Sequence, residues 1–144
     1  LKIEQRTCVK RRRILKNTVF DSCAVIALLY NEHGSAEVEA ILSGAAAANR
    51  PALICSVNWT EVLYICLRRS GAASLAKARE FARALPIEIV PADLALAEIA
   101  SEIKAFHRLS LANAFAAALA KTRKAELVAG DREFKQVEDE IRIG

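Results

Sequence analysis

"NTVFDSCAVIALLYNE", residues 17–32, joins a short β-type run to an acid and then to an apolar run of helical length. "NTVF" (17–20) reads as a strand. Residues 22–32 read as a helix with Ser22 as its N-cap. The same alternation repeats outward along the chain. A helix is expected over 35–44, closed by Gly44, and a strand over 52–56 behind Pro51. The helix at 57–71 ends on Arg68, Arg69 and Gly71, basic and flexible residues suited to a C-terminus. A helix at 72–85 stops at Pro86, and "IEIV" (87–90) is a strand ahead of Pro91. Asp93 caps a helix running to residue 107, and a further helix covers 111–123. "ELVA" (126–129) is a strand, "DREFKQ" (131–136) a short helix, and "IRI" (141–143) a last strand. Strand and helix in strict alternation predict an α/β fold. The expected core is a central parallel sheet of four to five strands with helices on both faces and right-handed crossovers.

The chain has 144 residues, 53% of them hydrophobic and 26% charged. That suffices for one domain with a real core and excludes a disordered tail. Apolar runs such as Ala24–Tyr30 are far too short to cross a bilayer, so a cytoplasmic protein with no membrane partner is expected. The net charge of +4 is unevenly spread: residues 1–16 hold seven Lys/Arg against one acid, Glu4, leaving the remainder slightly acidic. Residues 1–15 are therefore expected to be a basic extension, solvated or artefactual, ahead of a single domain over 16–144. Such a tail can also attract RNA by releasing counterions. Cys8, Cys23, Cys55 and Cys66 form no Cys-x-x-Cys pair, and His33 and His107 stand alone. A zinc site is excluded on this spacing.

Three acids fall where an open α/β sheet binds its ligands, beyond the carboxyl ends of the strands. Asp21 follows the first strand, Asp131 follows "ELVA" after one glycine, and Glu61 lies early on the helix after "ALICS". Each has a plain alternative: Asp21 supporting a helix start, Asp131 holding a turn, Glu61 facing solvent. Glu61 is the most informative, because Trp59, Val62, Leu63, Ile65 and Cys66 surround it in sequence. Carboxylates brought together repel, and a cation relieves that repulsion. Oxygen ligands without sulfur or imidazole select a hard ion, Mg²⁺ or Mn²⁺. Asn113 is a lone amide on the first turn of an otherwise apolar helix, "LANAFAAALA" (111–120).

"VFDSCAVIALL", "CSVNWTEVLYICLRRSG", "LSLANAFAAALA" and "ELVAGDREFKQVE" resemble, in order, the four motif regions of PIN domains. More narrowly they resemble VapC-type toxins of bacterial toxin–antitoxin pairs, from about Lys16 to Val137. The resemblance implies a PIN-like fold and a Mg²⁺- or Mn²⁺-dependent endoribonuclease, a hydrolase that leaves a 5′-phosphate and a 3′-hydroxyl. It further implies a homodimer held inactive by a VapB-type antitoxin, whose tail lies on helices such as 35–43 and 57–67. The family's acids fall on Asp21, Glu61 and Asp131, with Ser22 and Asn58 as supporting polar neighbours and Phe134 as a core anchor.

The third acid of the pattern falls on Asn113, where "L-A-N-A" stands in place of the usual "L-A-D-A". The expected catalytic and metal-ligating set is therefore Asp21, Glu61, Asn113 and Asp131. An amide can ligate a hard cation through its oxygen but brings no charge, so weaker metal binding is implied. It can instead donate hydrogen bonds to Asp21 or Asp131 and stabilise a metal-free pocket. Ala129 and Gly130 also depart from the pattern, which often has a hydroxyl before Asp131. Arg68, Arg69, Lys121, Arg123, Lys124 and Arg132 are candidate RNA-phosphate contacts, or else charges that complement helix ends. The alternative function is a catalytically silent PIN-fold module that dimerises and binds an antitoxin or RNA.

Overall fold

The computed structural model describes residues 17–144, so the expected extension over 1–15 and Cys8 lie outside the described residues. In chain order the elements are β1 (Thr18–Phe20), α1 (Ser22–Leu29), α2 (Ser35–Ala47), β2 (Ala52–Cys55), α3 (Ser56–Ser70) and α4 (Ala73–Ala84). They continue with β3 (Ile87–Val90), α5 (Leu94–Phe106), α6 (Leu111–Arg123), β4 (Glu126–Val128) and a 3₁₀ helix (Arg132–Val137). Four strands form one sheet in the order β3-β2-β1-β4, every pairing parallel.

Side-chain alternation along the strands divides the core in two. Val19, Leu53 and Cys55 face one layer, which α5, α6 and the 3₁₀ helix complete through Leu96, Ile103, Leu119 and Phe134. Phe20, Ala52 and Ile54 face the other, closed by α1, α2, α3 and α4 through Val25, Leu42, Val62 and Ala78. A parallel sheet buried on both faces needs such continuous apolar strands, and "ALIC" in β2 is buried throughout. Helix α6 is buried on most of its circumference, with alanines at 114, 116, 117, 118 and 120. Side chains that small let the helix lie close against both the sheet and α5.

The structure departs from the sequence reading at four places, one being α1, which stops at Leu29 and not at residue 32. Asp21, not Ser22, caps α1, accepting from the Ala24 N–H at 2.8 Å. The Ser22 hydroxyl is engaged elsewhere, by Glu61. Helix α2 runs through Gly44 to Ala47. A mid-helix glycine costs only about 1 kcal/mol, and four alanines follow it. The expected strand at 141–143 reduces to a single parallel bridge between Leu127 and Ile143. Its two bonds, Leu127 N–H to Arg142 O and Gly144 N–H to Leu127 O, flank one residue of a three-residue strand.

Candidate functional site

The strand order places two acids before any side chain is considered. From β1 the chain steps outward to β2 and β3, then returns to the other side of β1 as β4. Open α/β sheets bind ligands at such a reversal, beyond the carboxyl ends of the two strands that flank it. Asp21 directly follows β1, and its N–H continues the ladder to Val128 O at 3.2 Å. Asp131 follows β4 and caps the 3₁₀ helix, accepting from the Glu133 N–H at 2.9 Å.

Asp21 is buried, and both its oxygens are held by backbone: Oδ1 by the Ala24 N–H, Oδ2 by the Gly130 N–H at 3.1 Å. Burial first, and the charges of Asp131 and Glu61 after it, push its carboxyl up to about 6 against the pull of those two amides. The glycine before Asp131 has a packing reason. A Cβ on Gly130 would lie 3.0 Å from the Cβ of Cys23, so only glycine brings this N–H to Asp21 without displacing α1. Cys23 is exposed, and its thiol is pushed up to about 11, by burial of its sulfur first and then by the charges of Asp21, Asp131 and Glu61. With no ion bound it stays protonated at neutral pH.

Glu61 lies on the second turn of α3. Its Oε2 accepts from the Ser22 hydroxyl at 2.5 Å, and its Oε1 is 3.5 Å from the Tyr64 hydroxyl. One turn earlier, Asn58 is buried and donates to the carbonyl of Ala112 at 3.0 Å, tying α3 to the start of α6. The Asn58 Oδ1 is buried without a hydrogen-bond partner.

Asn113 sits on the first turn of α6, its N–H accepted by the capping Ser110 hydroxyl at 3.2 Å. Its amide nitrogen donates to Asp131 Oδ2 at 3.0 Å and to Glu133 Oε2 at 2.8 Å. Of the two acceptors expected for the amide, Asp131 takes the bond and Asp21 does not. Glu133, passed over in the sequence reading, receives the second bond and also accepts from the Ser110 N–H at 3.1 Å. Its signal was an extra acid two residues after Asp131, directly ahead of the buried Phe134.

Hydrogen bonds thus link Glu61 to Ser22 beside Asp21, Asp21 to Gly130 beside Asp131, and Asp131 through Asn113 to Glu133. Among the described residues no group of three or more His, Cys, Asp or Glu side chains is arranged to hold a metal ion. The side-chain acceptors along this run are nonetheless all oxygen, the chemistry a hard divalent cation takes. A buried carboxylate flanked by two further negative charges fits a site that receives positive charge.

The basic candidates scatter. Arg132 adjoins Asp131 on the 3₁₀ helix. Arg68 lies over the Tyr64 ring, 5.0 Å from its centroid, while Arg69 pairs with Glu32 and lies over Tyr30. Lys121, Arg123 and Lys124 stand at the far end of α6, about 12 Å or more from Asn113 at 1.5 Å per residue. There Lys121 pairs with Glu140, and Lys121 and Lys124 line a separate cleft with Arg142 and Glu126.

A family model described as PIN domain matches residues 18–140. No curated protein matches the sequence. Several solved structures share the fold. A DNA-bound VapBC from Salmonella typhimurium is 21% identical with a TM-score of 0.70, over 90% of this chain and 97% of that one. VapC20 of Mycobacterium tuberculosis, described as a sarcin–ricin loop cleaving toxin, is 16% identical with a TM-score of 0.67, over 84% and 95%. A toxin–antitoxin complex from Klebsiella pneumoniae is 19% identical with a TM-score of 0.63, over 82% and 90%.

Proposed function

The chain belongs to the PIN domain family, and from that premise we propose that it is the toxin of a VapBC-type toxin–antitoxin pair, an endoribonuclease that depends on Mg²⁺ or Mn²⁺. The observation that carries this reading is the hydrogen-bonded run of three acids and one amide at the β1/β4 reversal, drawn from four separate segments of the chain. Asp21, Glu61 and Asp131 would hold the cation, with the Asn113 carbonyl as a neutral fourth donor. When bound, the cation would lower the pKa of a water and offset the charge gathering on the scissile phosphate.

The chain's own residues do the rest. The Ala24 and Gly130 amides fix both oxygens of Asp21. Ser22 orients Glu61, and the Asn58–Ala112 bond holds the helix of Glu61 against that of Asn113. Arg132, next to Asp131, is the basic side chain best placed to meet an RNA phosphate; Arg68 is a second. A single basic contact of this kind positions the strand and carries no sequence preference.

A VapB-type antitoxin and a second copy of the chain are the proposed protein partners. The VapBC and toxin–antitoxin complexes that share the fold support this reading. Among the described residues no helix is long and apolar enough to cross a membrane. A cytoplasmic setting, where RNA and antitoxin meet, belongs to the same proposal.

One observation favours the alternative of a catalytically silent binding module: Asn113 already donates to Asp131, an acid a cation would need, and to the neighbouring Glu133. Mn²⁺-dependent cleavage of RNA by the unchanged chain and by Asn113→Asp separates the two readings. Weak cutting by the first and stronger cutting by the second are expected. No cutting by either folded protein, with either metal, would leave the silent module.

A further inference from the structure

Glu61, Tyr64 and Arg68 stand at i, i+3 and i+7 on α3, along one face of the helix. The Tyr64 hydroxyl is 3.5 Å from Glu61 Oε1, and the Arg68 guanidinium lies over the Tyr64 ring, 5.0 Å from its centroid. Acid, ring and cation form one continuous strip, leading about 10 Å away from Glu61 at 1.5 Å per residue. Tyr64 is 41% exposed, and Arg68 is exposed beside it.

A second pair at the same end of α3 shows what sets this one apart. Arg69 lies over the Tyr30 ring, but its charge is taken by Glu32, and the Tyr30 hydroxyl is bonded to Ser70 at 3.0 Å. That pair is half-buried at its ring and closed on itself. Among the described residues no acid forms an ion pair with Arg68. An exposed ring steadied by an unpaired guanidinium can stack a flat base, while the guanidinium stays available to a phosphate.

We infer that Tyr64 is a nucleobase platform, stacking an unpaired base of the RNA next to the phosphate to be cut, with Arg68 on a phosphate further along the strip. The inference rests on the ribonuclease reading above. Because the strip starts at Glu61, the stacked base belongs to a nucleotide adjoining the cut. Every base has a π-face, so stacking of this kind is tolerant of sequence. It selects single-stranded segments, because a base inside a duplex has no free face to offer.

Fluorescence anisotropy with labelled oligouridine, and with an abasic oligomer of equal length, reads stacking apart from phosphate contact. The full chain is titrated in a chelator, so that no RNA is cut, and circular dichroism checks that each variant folds. Residues 1–16 hold seven Lys/Arg and no aromatic ring, so they add phosphate contacts to both oligomers and aromatic stacking to neither. The unchanged chain is expected to bind oligouridine about tenfold more tightly than the abasic oligomer. Tyr64→Phe should keep that gap, and Tyr64→Leu should remove most of it. Arg68→Gln should weaken both oligomers and lower the salt slope by about one. A folded Tyr64→Leu protein that keeps the gap overturns the inference and leaves the strip to a protein partner. No gap in the unchanged chain overturns it as well. Phe106→Leu, at the most exposed ring among the described residues, should leave the gap intact, and an equal loss there also overturns the inference. If the chain cuts RNA with Mn²⁺ while Tyr64→Leu keeps the gap, the assignment of Tyr64 fails alone. If the unchanged chain binds neither oligomer, the ribonuclease reading fails and Tyr64 with it.

Discussion

Asn58 on α3 donates to the backbone carbonyl of Ala112, 3.0 Å away and 54 residues later in the chain. The bond joins the helix that carries Glu61 to the turn that carries Asn113. Asn58→Ala leaves the half-buried Ala112 carbonyl without this donor. A loss of about 1–3 kcal/mol in unfolding free energy is expected, read from urea midpoints at unchanged slope. Because both helices carry site residues, Mn²⁺ affinity should fall as well.

Asp21 makes the metal-free protein sensitive to pH. Its carboxyl is pushed from 3.8 to about 6 in the folded chain, chiefly by burial. The unfolded chain ionises first as pH rises, so folding stability falls between about pH 4 and pH 6 and stays lower above that. The fall is of order 3 kcal/mol at most. Unfolding curves in a chelator at pH 4.5 and pH 7.5 should show the protein more stable at the lower pH. Asp21→Asn should flatten the dependence, although an amide can accept only through one of its two positions and loses part of the backbone support.

Gly130→Ala tests the close approach of the β4 loop to α1. The new Cβ would sit 3.0 Å from the Cβ of Cys23. The neighbour must give by a few tenths of an ångström, and the Gly130 N–H would move relative to Asp21. Destabilisation of about 1–3 kcal/mol is expected by thermal or urea unfolding. Cys23→Ala should not relieve it, because the contact is with the Cβ that alanine keeps.

Asn113→Asp removes both donated hydrogens and adds a negative charge beside Asp131 and Glu133. In the metal-free state the variant is expected to unfold about 1–3 kcal/mol more easily. Millimolar Mn²⁺ should return most of that stability, so the variant's melting temperature should depend on metal more steeply than that of the unchanged chain.

Much of this was legible in the residues. Helix α6 begins and ends where the sequence predicts, because Ser110 is a capping residue and Lys124 takes the left-handed conformation that closes it. Strand β3 matches residue for residue, bounded by Pro86 and Pro91. Asp21 and Asp131 could be placed at strand ends from order alone. The choice of cap at α1 could not be read: Asp21 and Ser22 are both competent, and Glu61, 39 residues beyond Ser22, decides between them. Glu133 was invisible for a related reason. Its meaning depends on facing Asn113, a pairing that exists only once α6 and the 3₁₀ helix are packed. Gly44 misled because a single glycine signals a stop only where the residues after it cannot continue a helix.

The sheet has one core layer on each side, and the acids are divided between them. Glu61 is carried by a helix of one layer, Asn113 and Glu133 by elements of the other, with β1 as the partition that ends in Asp21. Neither half of the molecule owns a working set. Heat or denaturant that loosens either layer takes its acids out of register, so function should vanish together with the global transition. Fragments cut from this chain would carry the ingredients and lack the reagent.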